Sequence, residues 1–247
     1  MEHAEPKTSE PGSAERPSGT DPDVLDLYAR TARHYDRLNA IVSFGTSNWY
    51  RRRTILSLGL PESATLLDVG CGTGVLALAA QRYLPASPSI VAIDPCPEMR
   101  ALAQRAGVRD VRPGSFEDLP VEPASRDAVV SGYAIRYARD LPRTFDALRT
   151  VLRPGGRLVL LEMVVPRSRI GRRLVGLLLR EAGPTVLGIV CGSRSVRDLM
   201  RHFWDSISSF ESPETVLRHL EEAGFTDVEY RPAGGLLGEF RATAPTD

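Results

Sequence analysis

The chain has 247 residues, of which 42% are hydrophobic and 25% are charged, a composition typical of a globular protein with one sizeable domain. Its 31 basic and 31 acidic residues balance, so no overall charge points to a nucleic-acid partner. The three cysteines are far apart and lack metal-ligand or disulfide spacing. We therefore expect no metal site and a reducing, cytoplasmic location.

The first 60 residues show no strand pattern. Residues 1–20 are polar and rich in Pro, Gly and Ser, which predicts a disordered tail and no signal peptide. Residues 21–60 contain two helical stretches and are predicted to form an N-terminal helical lid. Tyr28 and Tyr35 lie seven residues apart in this lid, where they either pack on the sheet or close over a ligand. The run Arg51–Arg53 predicts a solvated helix face.

Strands alternate with helices from residue 61 to the end of the chain. The apolar runs predict strands at 65–69, 89–94, 108–114, 126–135 and 157–164. Helical patterns separate them, which predicts an α/β domain over 61–247, with a parallel sheet covered on both faces. A helical insertion over about 168–207 interrupts the rhythm without an uncharged run long enough to span a membrane. A hairpin around Gly234 and Gly235 predicts an antiparallel edge.

The most informative stretch is DVGCGTG, residues 68–74, which ends the first strand and opens a helix. Its G-x-G-x-G spacing differs from the G-x-G-x-x-G of nicotinamide and flavin sites. Asp68 would repel a pyrophosphate but suits a ligand that carries a positive ammonium and sulfonium. Asp94 ends the next strand, where it is placed to accept hydrogen bonds from ribose hydroxyls. We expect the three glycines to admit such a ligand, the alternative being a turn that binds nothing.

This pattern resembles the class I S-adenosylmethionine-dependent methyltransferases. Two further stretches resemble the signature segments of the ubiquinone/menaquinone C-methyltransferase family, the UbiE type. The first segment matches at Tyr35, Asp36, Asn39, Ser43, Phe44 and Gly45, and the second at Arg153, Pro154, Gly155, Gly156 and Glu162. The resemblance covers about residues 22–245. It implies a Rossmann-like fold, with a mostly parallel seven-stranded sheet and an antiparallel edge hairpin.

The resemblance also implies S-adenosylmethionine as cofactor and assigns individual contacts. Gly72 and Thr73 fall on the family's methionine-binding turn, and Asp94 falls on its ribose acid. Ser115 and Phe116 fall on the pair beside the adenine, and Gly132 on the small residue that ends the fourth strand. The predicted cofactor site therefore consists of Asp68, Gly70, Gly72, Thr73, Asp94, Ser115, Phe116, Gly132 and, from the lid, Tyr35.

Several positions depart from the family pattern. Ser115 replaces an Asp or Asn, Tyr137 replaces the Asn of an Arg-Asn pair, and residues 202–207 replace a Tyr-Leu-Pro-Glu-Ser-Ile segment. Most of these changes fall where the resemblance places the methyl acceptor. We therefore expect transfer to a carbon of a quinol or phenolic small molecule. This acceptor is either demethylmenaquinol-like or a bacterial secondary metabolite.

Two residues are predicted to act in catalysis. Methylation of an aromatic carbon requires a neighbouring hydroxyl to lose its proton, which a base or a nearby cation promotes. Arg136 falls on the family's arginine at the end of a central strand, and it is the predicted cation; the alternative is a structural pair with an acid such as Asp140. His202 is the predicted base, with His34 as a second candidate.

Other functions and partners stay open. The chain is either this C-methyltransferase, an O- or N-methyltransferase of a natural product, or a cofactor-binding protein that transfers no methyl group. No nucleic-acid partner is expected, because no Asn-Pro-Pro-Tyr or Pro-Cys motif ends the fourth strand. The acceptor is expected to be an aromatic small molecule, and the sequence leaves open whether it is lipophilic. The apolar segment 174–190 either lines a pocket, covers the sheet or forms a homodimer contact. A peripheral membrane contact is also open, through the run Arg51–Arg53 if the acceptor is a lipid quinone.

Overall fold

The structure is a computed structural model. It describes residues 20–42, 47–61, 63–84, 89–166, 168–190, 193–232 and 236–246, without the side chains of 36–42, 47, 48 and 190. Nearly all of the predicted tail lies outside these residues, as does the centre of the predicted hairpin turn. Of the first family segment, Ser43, Phe44 and Gly45 and the side chains of Asp36 and Asn39 also lie outside them.

Among the described residues, seven strands form one sheet in the order β3-β2-β1-β4-β5-β7-β6. The strands are β1 Thr65–Val69, β2 Ser89–Asp94, β3 Asp110–Pro113, β4 Arg126–Gly132, β5 Leu152–Met163, β6 Thr226–Pro232 and β7 Leu237–Thr243. The first five strands are parallel, while β7 runs antiparallel to both β5 and β6. This topology confirms the predicted fold class, a mostly parallel sheet with an antiparallel edge hairpin.

Helices cover both faces of this sheet. Their bounds are α1 Pro22–Val42, α2 Ser47–Ser57, α3 Val75–Tyr83, α4 Pro97–Arg105, α5 Leu141–Val151, α6 Arg169–Gly176, α7 Gly183–Val190, α8 Arg194–Ser208 and α9 Pro213–Glu222. On one face, Phe145 of α5 and Leu220 of α9 belong to a buried core with β4, β5 and β7. On the other face, Ile55 of α2 and Leu76 of α3 belong to a second core. The carboxyl ends of β1, β2 and β4 meet at one edge between these layers.

Strand β4 ends at Gly132, three residues before the end of the predicted strand at Ile135. The backbone turns at Tyr133, whose φ of 63° is in the left-handed region and cannot continue a strand. Residues Ile135–Tyr137 then form a turn of 3₁₀ helix. The turn buries Arg136 and places Tyr137 beside α1, so this misplaced strand end matters for the site.

The predicted insertion contains α6, a π-helical segment Leu177–Ala182, α7 and α8. Val196, Leu199 and Phe203 of α8 are buried in a third apolar cluster with Leu179 and Leu187. Within the described ranges, no helix has the length and apolar character needed to cross a membrane.

The three glycines after β1 are required for different physical reasons. All have positive φ, between 55° and 82°, where a side chain is strained. A Cβ at Gly70 would lie 2.5 Å from the Cβ of Ala134, and one at Gly74 would lie 2.5 Å from Val108 Cγ2. A Cβ at Gly72 would meet nothing within 4 Å. Gly70 and Gly74 therefore make room for the chain itself, whereas Gly72 adjoins open space, so the admission of a ligand does not by itself explain all three glycines.

Candidate active site

A cavity of about 650 Å³ lies where α1 covers the carboxyl ends of β1, β2 and β4. A second cavity of about 340 Å³ adjoins it and shares four of its lining residues, Tyr35, Gly70, Gly72 and Gly132. Ligands of open α/β sheets bind at this edge. All nine residues predicted for the cofactor line one cavity or both: Tyr35, Asp68, Gly70, Gly72, Thr73, Asp94, Ser115, Phe116 and Gly132.

Asp94, at the end of β2, links this strand to the glycine turn after β1 through hydrogen bonds. Its Oδ2 accepts a hydrogen bond from the Gly72 amide at 2.8 Å, and its Oδ1 accepts one from the Cys96 amide at 2.9 Å. Burial raises the pKa of Asp94 to about 6, although these two amide bonds oppose the rise. Each carboxylate oxygen can accept a further bond, so the side chain keeps acceptor capacity toward the cavity.

Asp68 is a buried carboxyl at the floor of the smaller cavity. Its Oδ2 accepts a hydrogen bond from the Ala77 amide at the start of α3, at 3.0 Å. Its Oδ1 is buried and has no hydrogen-bond partner among the described residues. Burial raises the pKa of Asp68 to about 7. A buried carboxylate oxygen without a partner is costly, so this atom indicates a binding position for a donor or a cation.

Arg51 was missed by the sequence interpretation. The predicted solvated face is correct for Arg52 and Arg53, which are exposed, but wrong for Arg51, of which only 6% is exposed. Arg51 lines the smaller cavity with Asp68, and its guanidinium carbon lies 5.6 Å from the ring centre of Tyr133. The sequence signal is weak, because three consecutive arginines cannot indicate which of them faces the interior.

Four aromatic side chains pack together at the other end of the larger cavity. We call Tyr28, Tyr35, Tyr137 and Phe203 the aromatic cluster; their ring centres lie 5.8–6.5 Å apart in the pairs Tyr28–Tyr35, Tyr28–Tyr137, Tyr28–Phe203 and Tyr35–Phe203. Tyr28 donates a hydrogen bond to the Tyr137 hydroxyl at 2.9 Å, which joins α1 to the loop after β4. Burial raises the pKa of Tyr35 to about 12 and that of Tyr28 well above its usual range. Both phenols are therefore neutral near pH 7, and both side chains line the larger cavity.

Arg136, the predicted catalytic cation, is buried behind the cavity wall and lines neither cavity. Its Nη1 donates to Glu162 Oε1 at 2.6 Å in an ion pair whose side chains are 3% and 0% exposed. The partner is therefore Glu162 and not Asp140, which caps α5 by accepting from the Arg143 amide. Burial lowers the pKa of Arg136, but the charge of Glu162 together with the neighbouring tyrosines outweighs this effect, and the pKa is raised.

Arg136 supports the aromatic cluster from behind. Its guanidinium carbon lies 4.8 Å from the ring centre of Tyr137, and its Nε donates to Ser206 Oγ at 3.2 Å. Ser206 Oγ lies 3.5 Å from the Tyr137 hydroxyl. The ion pair is thus connected through Ser206 of α8 and Tyr137 to the lid residue Tyr28.

His202, the predicted base, lies beside Tyr137. The two rings are stacked, with centres 5.7 Å apart and an interplanar angle of 8°. The Nε2 atom is buried and has no hydrogen-bond partner among the residues the structure describes. Burial and then the charge of Arg136 lower the pKa of His202, so the imidazole is neutral near pH 7. The second candidate, His34, accepts a hydrogen bond from Arg33 Nε at 3.1 Å and lines neither cavity.

Comparison with known proteins gives a family. A model of the ubiE/COQ5 methyltransferase family matches residues 17–242. The chain is 30% identical over 215 residues to a ubiquinone/menaquinone biosynthesis C-methyltransferase UbiE of Geobacter sulfurreducens, covering 84% of this chain and 82% of the relative. It is 28% identical to a demethylmenaquinone methyltransferase of Staphylococcus aureus, covering 86% of this chain and 88% of that protein.

A solved structure shows the same fold. A SAM-dependent methyltransferase of Thermotoga maritima superposes with a TM-score of 0.63 at 20% identity, covering 89% of this chain and 99% of that one. At this identity the likeness supports the Rossmann-like class I fold and carries no information on the acceptor.

The buried ion pair gives a prediction on stability. Glu162→Gln leaves the Arg136 charge buried without its counter-ion, so we expect the free energy of unfolding to fall by about 3–5 kcal/mol. Asp26→Asn is the control, because Asp26 pairs with Arg30 on the surface and such pairs contribute under about 1 kcal/mol. Urea unfolding followed by circular dichroism measures both variants. Equal urea midpoints for Glu162→Gln and Asp26→Asn would contradict a stabilising role of the Arg136–Glu162 pair.

Proposed function

The chain belongs to the ubiE/COQ5 methyltransferase family, and from this premise we propose that it transfers the methyl group of S-adenosylmethionine to a ring carbon of a quinol or phenol. One observation carries the proposal: a single cavity extends from Asp94 at the sheet edge to the phenol groups of Tyr28 and Tyr137. The names of the two curated relatives supply the acceptor class. We also propose a cytoplasmic location, on the strength of the cysteine spacing in the sequence.

The residues of the two cavities fit the donor. The unpartnered Oδ1 of buried Asp68 suits the ammonium of the methionine moiety, and the open space at Gly72 suits close approach to the backbone. Arg51 lines the same cavity and would pair with the methionine carboxylate. Asp94 would hold the ribose hydroxyls, with Ser115 and Phe116 beside the adenine. Met99, which the larger cavity also exposes, would contact the adenine face.

The acceptor ring would lie against the aromatic cluster. Tyr28 and Tyr137 line the cavity and are linked through their hydroxyls, so together they offer hydrogen bonds to an acceptor hydroxyl and an apolar surface to its ring. Tyr35 lines both cavities, so it would lie between the two substrates. With α1 covering the sheet edge, water would be excluded from the reacting atoms.

Bound S-adenosylmethionine supplies an electrophilic methyl group on a positively charged sulfur. The chain must hold the acceptor carbon in line with that methyl group and promote loss of the acceptor's hydroxyl proton. We assign the first task to Tyr28 and Tyr137. We propose Arg136 as a positioning residue that acts through Tyr137, because its guanidinium is paired with Glu162 and packs against that ring.

We propose His202 as the base that takes the hydroxyl proton. Its support is the buried Nε2 without a partner, the neutral imidazole, and the stacking on Tyr137. His202 itself lines neither cavity, so the hydroxyl proton would reach it through a bridging hydroxyl or water. In the methylated ring, the carbon would lose its hydrogen as a proton while the oxygen regains one, which restores the aromatic system and leaves His202 with the one proton that the reaction releases.

The function is tested by the position of the new methyl group. Purified protein is incubated with S-adenosylmethionine and a short-chain demethylmenaquinol, a naphthoquinol or a simple phenol, and the product is analysed by NMR. We expect a methyl group on the ring carbon next to a hydroxyl in at least one product. An O-methyl product would favour the natural-product alternative, and tight donor binding with no product from any acceptor would favour a binding protein.

Donor binding gives a second test. Arg51→Gln and Asp68→Asn should each weaken S-adenosylmethionine binding by about tenfold to a hundredfold, since each removes a charge-assisted contact. Arg53→Gln is the matched control: the same substitution two residues away, on an exposed side chain, should leave the affinity unchanged. Isothermal calorimetry measures all three. Equal affinities for Arg51→Gln and Arg53→Gln would rule out the carboxylate contact.

The same measurement has a pH dependence. Because burial raises the pKa of Asp68 to about 7, lowering the pH below 7 protonates the carboxyl and removes the charge that would face the ammonium. Wild-type affinity should therefore decline as the pH falls from 8 to 6, whereas Asp68→Asn should show a flatter profile. A wild-type pH profile as flat as that of the variant would exclude a contact between Asp68 and the ammonium of the donor.

The proposed base is tested by His202→Phe, which keeps an aromatic ring against Tyr137 but cannot accept a proton. On an acceptor that the wild type methylates, kcat should drop by about a hundredfold or more. Wild-type kcat should fall at low pH, as the imidazole is protonated through a pKa lowered below its ordinary value, and the variant should lack this decline. His219→Gln on α9 is the control and should behave like the wild type. A variant that retains the acidic decline would exclude His202 as the base.

A further inference from the structure

Exposed apolar side chains are concentrated on the helical insertion. Of the eight large apolar side chains that are exposed among the described residues, six lie between residues 170 and 189, with 55–76% of each exposed. We call these six the apolar face: Ile170, Leu174, Leu177, Leu178, Val186 and Ile189. Single exposed apolar residues are common on protein surfaces, but a cluster of this kind marks an interaction site.

The apolar face is one side of an amphipathic helical segment. Ile170, Leu174, Leu177 and Leu178 are spaced by four, three and one residues, which places them along one side of the helix. The opposite side packs inward: Leu179 is buried with α8, and a Cβ at Gly176 would lie 2.9 Å from the Trp204 ring. The outward side chains are therefore not needed for the contact with the rest of the protein.

Positive charge flanks the apolar face. Residues 169–190 contain four arginines, all exposed, and a single acid, Glu181. The arginines are Arg169, Arg172, Arg173 and Arg180. Apolar side chains bordered by basic ones on a surface helix are the pattern of helices that lie in the interface of anionic membranes.

We propose that the apolar face and its flanking arginines bind the surface of an anionic lipid membrane. The charge decides between this partner and a second copy of the chain. A two-fold dimer through this face would oppose the arginine-rich patch to itself, with only one Glu181 from each copy to offset four arginines. Anionic headgroups complement that charge, while the six apolar side chains enter the acyl boundary.

The position of the apolar face suggests what membrane binding would do for the reaction. Its inner side packs on α8, whose Phe203 belongs to the aromatic cluster at the acceptor end of the larger cavity. A single layer of helix thus separates the proposed membrane surface from the proposed acceptor position. Lipid binding does not depend on the proposed function, since it requires neither donor nor acceptor, and it would place a lipophilic acceptor near its binding site.

Vesicle flotation with the full-length chain tests the proposal. We expect the protein to float with vesicles of phosphatidylcholine and phosphatidylglycerol about tenfold more than with pure phosphatidylcholine, and less at high salt. Leu174→Glu combined with Leu178→Glu should reduce flotation by about tenfold or more. Arg172→Gln combined with Arg173→Gln should reduce it by about fivefold for each arginine.

Leu56→Glu is the matched control, because Leu56 is an exposed leucine on α2 away from this face. It should float like the wild type, and circular dichroism should show the same fold for every variant. Three results would overturn the proposal. These are equal flotation with both vesicle types, full flotation of the double glutamate variant, or no flotation together with a dimer in ultracentrifugation that the same double variant dissociates.

Discussion

The buried pair of Arg136 and Glu162 is the interaction on which the active-site wall depends. A buried charge without its partner is strongly destabilising, so each side chain fixes the position of the other. Glu162 belongs to β5, whereas Arg136 follows β4, and the pair therefore defines how the chain leaves the sheet after Gly132. From Arg136 the contacts continue through Ser206 of α8 to Tyr137. The lid, the insertion and the sheet are joined at this one charged position.

At the sheet edge, the charge of the two cavities depends on two buried acids. Asp68 and Asp94 end neighbouring strands, and burial raises the pKa of both. Asp94 is held by two backbone amides, which leaves it fixed in place. Asp68 has one amide and one unpartnered oxygen, so its charged form favours a cation in the smaller cavity. Arg51 lines that cavity as well, and the two opposite charges complement the two ends of an amino acid.

The sequence predicts the sheet better than the site. The runs at 65–69 and 89–94 coincide with β1 and β2, because a fully buried parallel strand is a continuous apolar segment between turns. The end of β4 was placed three residues too far, since the apolar run continues through a turn that only the positive φ of Tyr133 reveals. The partner of Arg136 was also beyond the sequence, because Glu162 lies 26 residues away on another strand. The nine residues predicted for the cofactor all line the cavities. The burial of Arg51, in contrast, depends on how α2 packs, which a run of three arginines does not reveal.

Two departures from the family pattern, Tyr137 and His202, lie together in the fold. Their rings are stacked on each other, although they lie on different elements, and Ser206 contacts both the Tyr137 hydroxyl and Arg136. Changes at Tyr137 and His202 therefore alter the same wall, at the proposed acceptor end. Helix α8 contributes Phe203 to the aromatic cluster, and its Leu199 is buried with Leu179 and Leu187 of the insertion. The proposed acceptor end and the inner side of the apolar face are therefore held by the same helix.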